Sequence, residues 1–414
     1  MSARRQFVAP HVAELPKSGI RAFFDIVAQR HDIVSLGVGE PDFDTPWHIS
    51  RAASIALEEG RTHYTSNLGT PDLRKAICAY LSRRFQASYD WAHETLVTVG
   101  VAEAIDLALR AICSPGDEIL YHEPCFVSYA PTVRLAHATP VAVETYANDA
   151  FRLTVDALEA KVTPRTKALL VNFPCNPTGA TLSVEDMRAI ADFCIRHDLV
   201  LLADEVYSEL VYDGEPVSFA SFPDIRDRLI LLNGFSKSWA MTGFRLGYAC
   251  GPAEVIDAMM KIHQYGIMSA PTLSQYAGVE AMENGDADVA RMRAEYKRRR
   301  DFLVPALNAM GLPTVMPKGA FYIFSDIRAS GLSSQDFALR LLNDHAVACV
   351  PGSAFGACGE GFVRMSYATS LAKIKLAVER ISAFMQDLTE QNGSAPIKAP
   401  RVFHGKPGLG KARR

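Results

Sequence analysis

The sequence predicts an α/β protein built around a doubly wound, mostly parallel sheet, with a second and smaller domain toward its C-terminal end. Three observations carry that expectation. Through the middle of the chain, short apolar β-branched runs alternate with longer segments of helical period, the pattern of successive βαβ units. Several of the short runs, such as 168–172 and 229–232, are apolar on both alternating faces, as strands covered by helices on either side must be. After about Gly251 the pattern changes to long helical segments and then to a few short strands. At roughly 150 residues per domain, the 414 residues leave room for two or three domains.

Taken in order, the first well-punctuated helix opens at Thr70-Pro71-Asp72, an N-cap followed by proline at the first helical position, and runs over 73–85. Strands are expected at 95–99, 118–121, 140–143, 168–172, 200–203, 229–232 and 246–250. Ser183-Val-Glu-Asp186 has the form of a capping box and opens a helix to about His197. In the second part of the chain, short strands are expected near 320–324, 346–350 and 362–366. The basic run Lys297-Arg298-Arg299-Arg300 lies in a long helical segment. Four consecutive charges on a helix point in different directions, so a solvated surface is expected there and no function. From Gln391 onward the chain is Gly, Pro, Ala and basic residues, with six Lys or Arg and no acid, and is expected to be disordered.

Two glycine patterns are set aside. Gly405-Lys-Pro-Gly-Leu-Gly410-Lys411 matches a phosphate-loop pattern, but Ala412 stands where Ser or Thr is required and no strand precedes it. Gly37-Val-Gly39 is followed by Glu40-Pro41, where a dinucleotide fingerprint would have to start a helix.

Composition narrows the function. With 21% charged and 49% hydrophobic residues the chain can bury a full core, which excludes wholesale disorder. A balance of 43 basic against 46 acidic residues, net −3, makes no global electrostatic case for nucleic acid and leaves a small metabolite as the expected partner. The eight cysteines form no C-x-x-C pair and lie at no zinc spacing, so they read as buried thiols in a reducing compartment, with no metal site. The first ten residues lack a signal peptide's apolar stretch, and no run approaches the ~20 apolar residues of a membrane span. A cytoplasmic protein without membrane contact is expected.

Four segments at or just past strand ends concentrate groups that an apolar core would not choose, and ligands of open α/β sheets sit at such ends. Thr98-Val-Gly100-Val-Ala-Glu103 turns from strand to helix and presents free backbone N–H groups and a positive helix end, suited to a phosphate. Asn172-Phe-Pro-Cys-Asn176-Pro177-Thr-Gly179 is a loop stiffened by two prolines, readable as a rigid turn or as a device projecting Asn176. In Leu201-Leu-Ala-Asp204-Glu205-Val-Tyr207 a buried strand emerges into two carboxylates. Because neighbouring strand side chains point oppositely, only one of the two can face a site, and Asp204 is costly there unless a cation meets it. The fourth segment runs from Asn233 through Ser236, Lys237 and Arg245 to Gly247, with the lysine closely following an apolar strand. Singly, Lys237 fits a surface lysine with a buried stem. Together, phosphate cradle, buried carboxylate and partly desolvated lysine fit one demand: a lysine Schiff base with an aldehyde cofactor whose pyridine nitrogen a carboxylate keeps protonated.

At these residues the chain resembles the class I/II aminotransferases of the fold-type I pyridoxal phosphate enzymes, from about Ile20 to Leu388. The resemblance is carried by Gly39-Glu-Pro-Asp-Phe43, Asn176-Pro-Thr-Gly179, Asp204-Glu-Val-Tyr207, Ser236-Lys237 through Thr242-Gly-Phe-Arg245, and Val363-Arg364-Met-Ser-Tyr367. It implies an N-terminal arm and part of a small domain over 1–47, a large cofactor domain over 48–290, a small α+β domain completed by 291–389, and a tail over 390–414.

It also implies roles. Lys237 would carry the pyridoxal 5'-phosphate and shuttle the proton between substrate and cofactor. Asp204 would pair with the pyridinium nitrogen, and Asn176 and Tyr207 would hydrogen-bond the ring hydroxyl. The phosphate would rest on Val101, Ala102, Ser236 and Arg245, with Tyr64 of the partner subunit reaching in, which makes the enzyme a homodimer with composite sites. Phe126 would stack on the ring, where a tyrosine or tryptophan is common in the family. Arg364 would grip the substrate carboxylate, assisted by the Gly39 backbone.

The reaction implied is a ping-pong exchange between an L-amino acid of aromatic, aspartate or alanine type and a 2-oxo acid such as 2-oxoglutarate. The stretches 321–324 and 351–356 are most similar to aromatic or broad-specificity members. The segment 15–24 lies where relatives build the side-chain pocket, and Lys17 in it reads either as a second cation or as an exposed lysine. The alternatives are a β-lyase on the same scaffold and a non-catalytic ligand-sensing module.

Overall fold

In the computed structural model, which describes residues 7–15, 30 and 32–391, the apolar runs of the middle of the chain assemble into one seven-stranded sheet. The strands of the molecule are β1 (Val34–Ser35), β2 (Thr95–Thr98), β3 (Glu118–Glu123), β4 (Thr139–Glu144), β5 (Thr166–Asn172), β6 (Val200–Asp204), β7 (Leu229–Gly234) and β8 (Gly247–Cys250), followed by β9 (Tyr322–Asp326), β10 (Val347–Ala348), β11 (Val350–Pro351) and β12 (Phe362–Ser366). The large sheet has the order β2-β8-β7-β6-β5-β3-β4. Its neighbours are parallel except around β8, which runs antiparallel to both β2 and β7. Tail residues 392–414, with the phosphate-loop look-alike, and pocket segment 16–24, with Lys17, lie outside the described residues.

Strand alternation sorts the core onto two faces. Ile119, Leu170, Leu202 and Ile230 pack with Ala104, Ala108 and Ile256 from the helices Gly100–Ile112 and Ala253–Gly266. Leu120, Leu169, Val171 and Leu201 pack on the opposite side against Ile190, Ala191 and Phe193 of the helix Val184–Arg196. Both expected caps form. The Thr70 hydroxyl accepts the Leu73 N–H, and Ser183 and Asp186 satisfy each other's backbone N–H groups, each cap contributing about 1 kcal/mol.

The second part of the chain forms a three-stranded antiparallel sheet, β11-β12-β9, beside the parallel pair β1-β10. Early and late segments are stitched together here: the Leu36 N–H donates to the Ala348 carbonyl at 2.8 Å, and the Ser366 N–H to the Leu36 carbonyl at 2.6 Å. Three expectations change. The strand expected near 320 starts at Tyr322, because Ala320 takes a left-handed backbone (φ +55°) that no strand accommodates. The single strand expected at 346–350 is two, β10 pairing with β1 and β11 with β12, so the chain changes sheets at Cys349. The basic run on the helix Asp286–Ala309 is not a wholly solvated face: Arg299 and Arg300 are buried, drawn in by carboxylates from distant segments. Among the described residues, no helix is long and apolar enough to cross a membrane.

Candidate active site

A cavity of about 350 Å³ opens at the carboxyl ends of β5, β6 and β7. Every residue singled out for the site lines it, except Tyr64, whose side chain stands exposed on the surface. The cavity has two walls, one from the large sheet and one from the segments around β1, β9 and β12.

The first wall follows from strand alternation. Leu202 faces the helix Gly100–Ile112, so Asp204, two residues on, emerges on that same side and into the cavity. Glu205 turns to the opposite face, where its Oε1 accepts the Phe219 N–H at 2.8 Å and its Oε2 has no partner. Among the described residues, no cation bonds Asp204. Its carboxylate accepts from the Tyr129 hydroxyl at 2.7 Å and the Val206 N–H at 3.2 Å. Burial pushes Asp204 up to about 6, against the pull of those donors and of the Lys237 charge. Glu205 is pushed up by burial to about 7.

Asn172 ties this wall together. Its side chain donates to the Asp204 carbonyl and accepts the Asn176 N–H, each at 3.0 Å.

The turn before the helix Gly100–Ile112 is made for a close approach. Gly100 has φ +76°, and a Cβ there would lie 3.0 Å from the Arg245 guanidinium. A Cβ on Gly247 would stand 2.6–2.7 Å from the backbone of Gly100 and Val101. These glycines therefore bring Arg245 and β8 against a helix start whose first N–H groups have no intrahelical acceptor. Ser236, Val101 and Ala102 line the same corner, with the half-buried Phe126 beside it.

Lys237 lies at the meeting of the two walls. Its ammonium donates to the Gly39 carbonyl at 2.8 Å. Burial lowers it to about 8, with Glu40 pulling upward and Arg364 and Arg245 pushing further down.

In the second wall, Arg364 on β12 is buried and meets no carboxylate among the described residues. It donates to Asn176 Oδ1 at 3.0 Å and to the Gly37 carbonyl at 2.6 Å, while its Nε meets no acceptor among the described residues. The Tyr322 and Phe355 rings lie 4.6 and 4.8 Å from its Cζ. Tyr322 also shares a 2.9 Å hydrogen bond with Tyr207. Gly39 is pressed so closely on Tyr322 that a Cβ would lie 2.5 Å from the phenol oxygen.

Sequence reasoning missed Tyr129, Asn172 and Tyr322 as site residues. Asn172 carried a signal, a polar residue ending an apolar strand directly beside Asp204 in register. Tyr129 and Tyr322 carried none, since aromatic residues are ordinary in apolar runs.

In chemical terms the cavity offers an anion corner, a buried carboxyl, an amine with a lowered affinity for protons and a guanidinium that meets no carboxylate among the described residues. The model of the family described as aminotransferase class I and II matches residues 31–381. The chain is 46% identical to an aspartate aminotransferase of Pyrococcus abyssi, over 94% of this chain and 98% of that one. It is 45% identical to aromatic-amino-acid aminotransferase 2 of Thermococcus litoralis, over 89% and 96%. The crystal structure of an aromatic aminotransferase from Pyrococcus horikoshii superposes with a TM-score of 0.85 at 46% identity, covering 88% of this chain and 99% of that one. The chain thus belongs to the class I and II aminotransferases, enzymes whose substrates are small amino and oxo acids.

Proposed function

We propose that this chain holds pyridoxal 5'-phosphate in the 350 Å³ cavity and exchanges amino groups in two half-reactions, with aspartate, aromatic amino acids or alanine as donors and 2-oxoglutarate or pyruvate as acceptor. One observation carries the reading: an amine lowered to about 8 and a carboxyl raised to about 6 line one cavity with a buried arginine that meets no carboxylate among the described residues. The residues fit the cofactor. The Gly100–Gly247 cradle, Ser236 and Arg245 suit its phosphate, Phe126 its ring face, and Asp204 a protonated ring nitrogen. When bound, the cofactor supplies an aldehyde for amine condensation and a protonated ring that accepts the electron pair of the substrate's α C–H bond.

The chain's own residues do the rest. Asp204 keeps a proton on the ring nitrogen through a charge-assisted contact, and Tyr129 and Val206 hold that carboxylate in place. Asn176 and Tyr207 orient the ring hydroxyl. Arg364 binds the substrate α-carboxylate, held ready by Asn176, the Gly37 carbonyl and the two aromatic rings. Lys237, whose lowered affinity for protons leaves a substantial neutral fraction near pH 7–8, takes the proton from the α-carbon and returns it on the other side of the exchange.

The homodimer belongs to the same reading. Tyr64, Tyr265 and Met268 are exposed, and 63–67 is hydrogen-bonded to 268–275 through Asn67, Thr272 and Gln275, so these apolar side chains share one region of surface. Sedimentation of the holoenzyme tests it, with a monomer at micromolar concentration as the adverse result.

The donor range draws on relatives of near-equal identity named for aspartate and for aromatic amino acids. Its test is a single-turnover titration of the holoenzyme with aspartate, tyrosine, phenylalanine and alanine, without any oxo acid. The expected result is one equivalent of 2-oxo acid per site, with the donors ranked by rate. Continuous release of pyruvate and ammonia would instead mean elimination and overturn the reading.

A further inference from the structure

The segment 37–43 covers the cavity: the Gly37 carbonyl meets Arg364, and the Gly39 carbonyl meets Lys237. On one side it is tied to the Lys237 loop, by the Thr242 hydroxyl to Glu40 and by the Thr45 hydroxyl to the Ala240 carbonyl at 2.7 Å. On the other side the only charged tie among the described residues is Arg299. Its Nη1 donates to Asp42 at 2.7 Å and, at 3.4 Å, to the carbonyl of Tyr367, three residues beyond Arg364. The Phe43 ring lies 5.1 Å from its Cζ.

Glu295, on the same helix, is a shared partner: its Oε1 accepts from Arg299 Nε at 2.9 Å while its carboxylate also meets Arg298 at 2.7 Å. The second carboxylate comes from 257 residues away, and the shared carbonyl comes from the chain leaving β12. One planar, buried guanidinium therefore joins the segment bearing Gly37 and Gly39 to the segment bearing Arg364.

We infer that Arg299 is a positioning residue of the active site: by clamping Asp42 to the end of β12 it sets the Gly37 and Gly39 carbonyls against Arg364 and Lys237. The inference rests on the reading that Arg364 takes the substrate carboxylate. A displacement of the covering segment would misplace that grip without removing any group that touches substrate.

The decisive variant is Asp42→Ala. It releases the segment while Arg299 keeps its bonds to Glu295, which it shares with Arg298, and to the Tyr367 carbonyl. Glu295→Ala is the control: it removes the other carboxylate on Arg299 together with the pair to the exposed Arg298, and it does not touch the covering segment. For the holoenzyme, kcat/KM toward the best amino donor is expected to fall about tenfold in Asp42→Ala, chiefly through KM, and to stay within about twofold in Glu295→Ala. Asp42→Asn, which keeps an acceptor oxygen in place, should restore most of the loss. Arg299→Lys, which keeps the buried charge, should fall about as far as Asp42→Ala.

In the cofactor-free protein, amide hydrogen exchange over 37–43 should accelerate in Asp42→Ala and not in Glu295→Ala. Equal effects of Asp42→Ala and Glu295→Ala, or unchanged exchange and kinetics in both Asp42→Ala and Arg299→Lys, would overturn the inference. An unchanged kcat/KM in Arg364→Lys would instead overturn the reading of Arg364, and the exchange result would stand apart from it.

Discussion

The two walls of the cavity are built on opposite plans. The strand-end wall is built on strand register: Asn172 and Asp204 are register partners on adjacent parallel strands, and the Tyr129 hydroxyl, the Asn172 side chain and the Val206 N–H all donate to Asp204. The covering wall is assembled from afar. Arg364 finds its acceptors 188 and 327 residues away, and each contact exists only because separately folded segments pack against each other. The first plan fixes its groups through the register of neighbouring strands, and the second depends on how distant segments meet. Electronic effects should therefore be seated in the first wall and recognition in the second.

Mutations can break or sharpen that division. Lys237 belongs to both walls, so Lys237→Ala should remove about four orders of magnitude or more of turnover, measured by steady-state assay of the reconstituted protein. Asp204→Ala, in the strand-end wall, should lower kcat about 10²–10³-fold with little change in donor KM. A KM-dominated effect would put Asp204 on the recognition side. Arg364→Lys should lose about 2–3 kcal/mol in kcat/KM through its lost bidentate grip, mainly by raising KM. Tyr322→Phe keeps the ring beneath Arg364 and removes only the bond to Tyr207, so a loss of about 0.5–1.5 kcal/mol is expected in the same assay.

The mildest effect is one of pH on the cofactor-free protein. Lys237 binds its proton less tightly in the folded chain, at about 8, than its ordinary 10.5. Between those values the unfolded chain holds more protons, so this site penalises folding below about pH 8 and the penalty lifts as pH rises toward 10.5. The melting-temperature advantage of Lys237→Met over the natural chain should therefore narrow from about pH 7.5 to about pH 10. A constant difference would mean that burial does not perturb this amine.

The same division explains what could be read before any coordinates. The sheet, the two helix caps and the facing of Asp204 away from Glu205 were legible because each depends on a few consecutive residues: an apolar alternation, a Ser-x-x-Asp spacing, a strand's period of two. Asn176 and Lys237, each readable alone as a turn residue or a surface lysine, became legible together, through the several polar segments that follow apolar strands. Tyr322 did not, because an aromatic residue in an aromatic strand has no local mark. Nor did the burial of Arg299 and Arg300, whose carboxylates Asp42 and Asp213 lie far off in sequence. The left-handed Ala320 and the change of sheet at Cys349 are likewise outcomes of tertiary packing.

The reversed strand β8 also governs how the molecule can be born. The edge strand β2 pairs with β8 alone, and Thr98 faces Gly247, about 150 residues later in the chain, or roughly 8–30 s of ribosomal synthesis at ordinary rates. Throughout that interval β2 lacks the strand it pairs with, although the Leu68 carbonyl, earlier in the chain, can already accept its Val97 N–H. The corner where Gly100 meets Gly247 closes only with the same late arrival, so the anion corner of the cavity cannot form until β8 has been made, and one edge of β2 stays open to pairing until then.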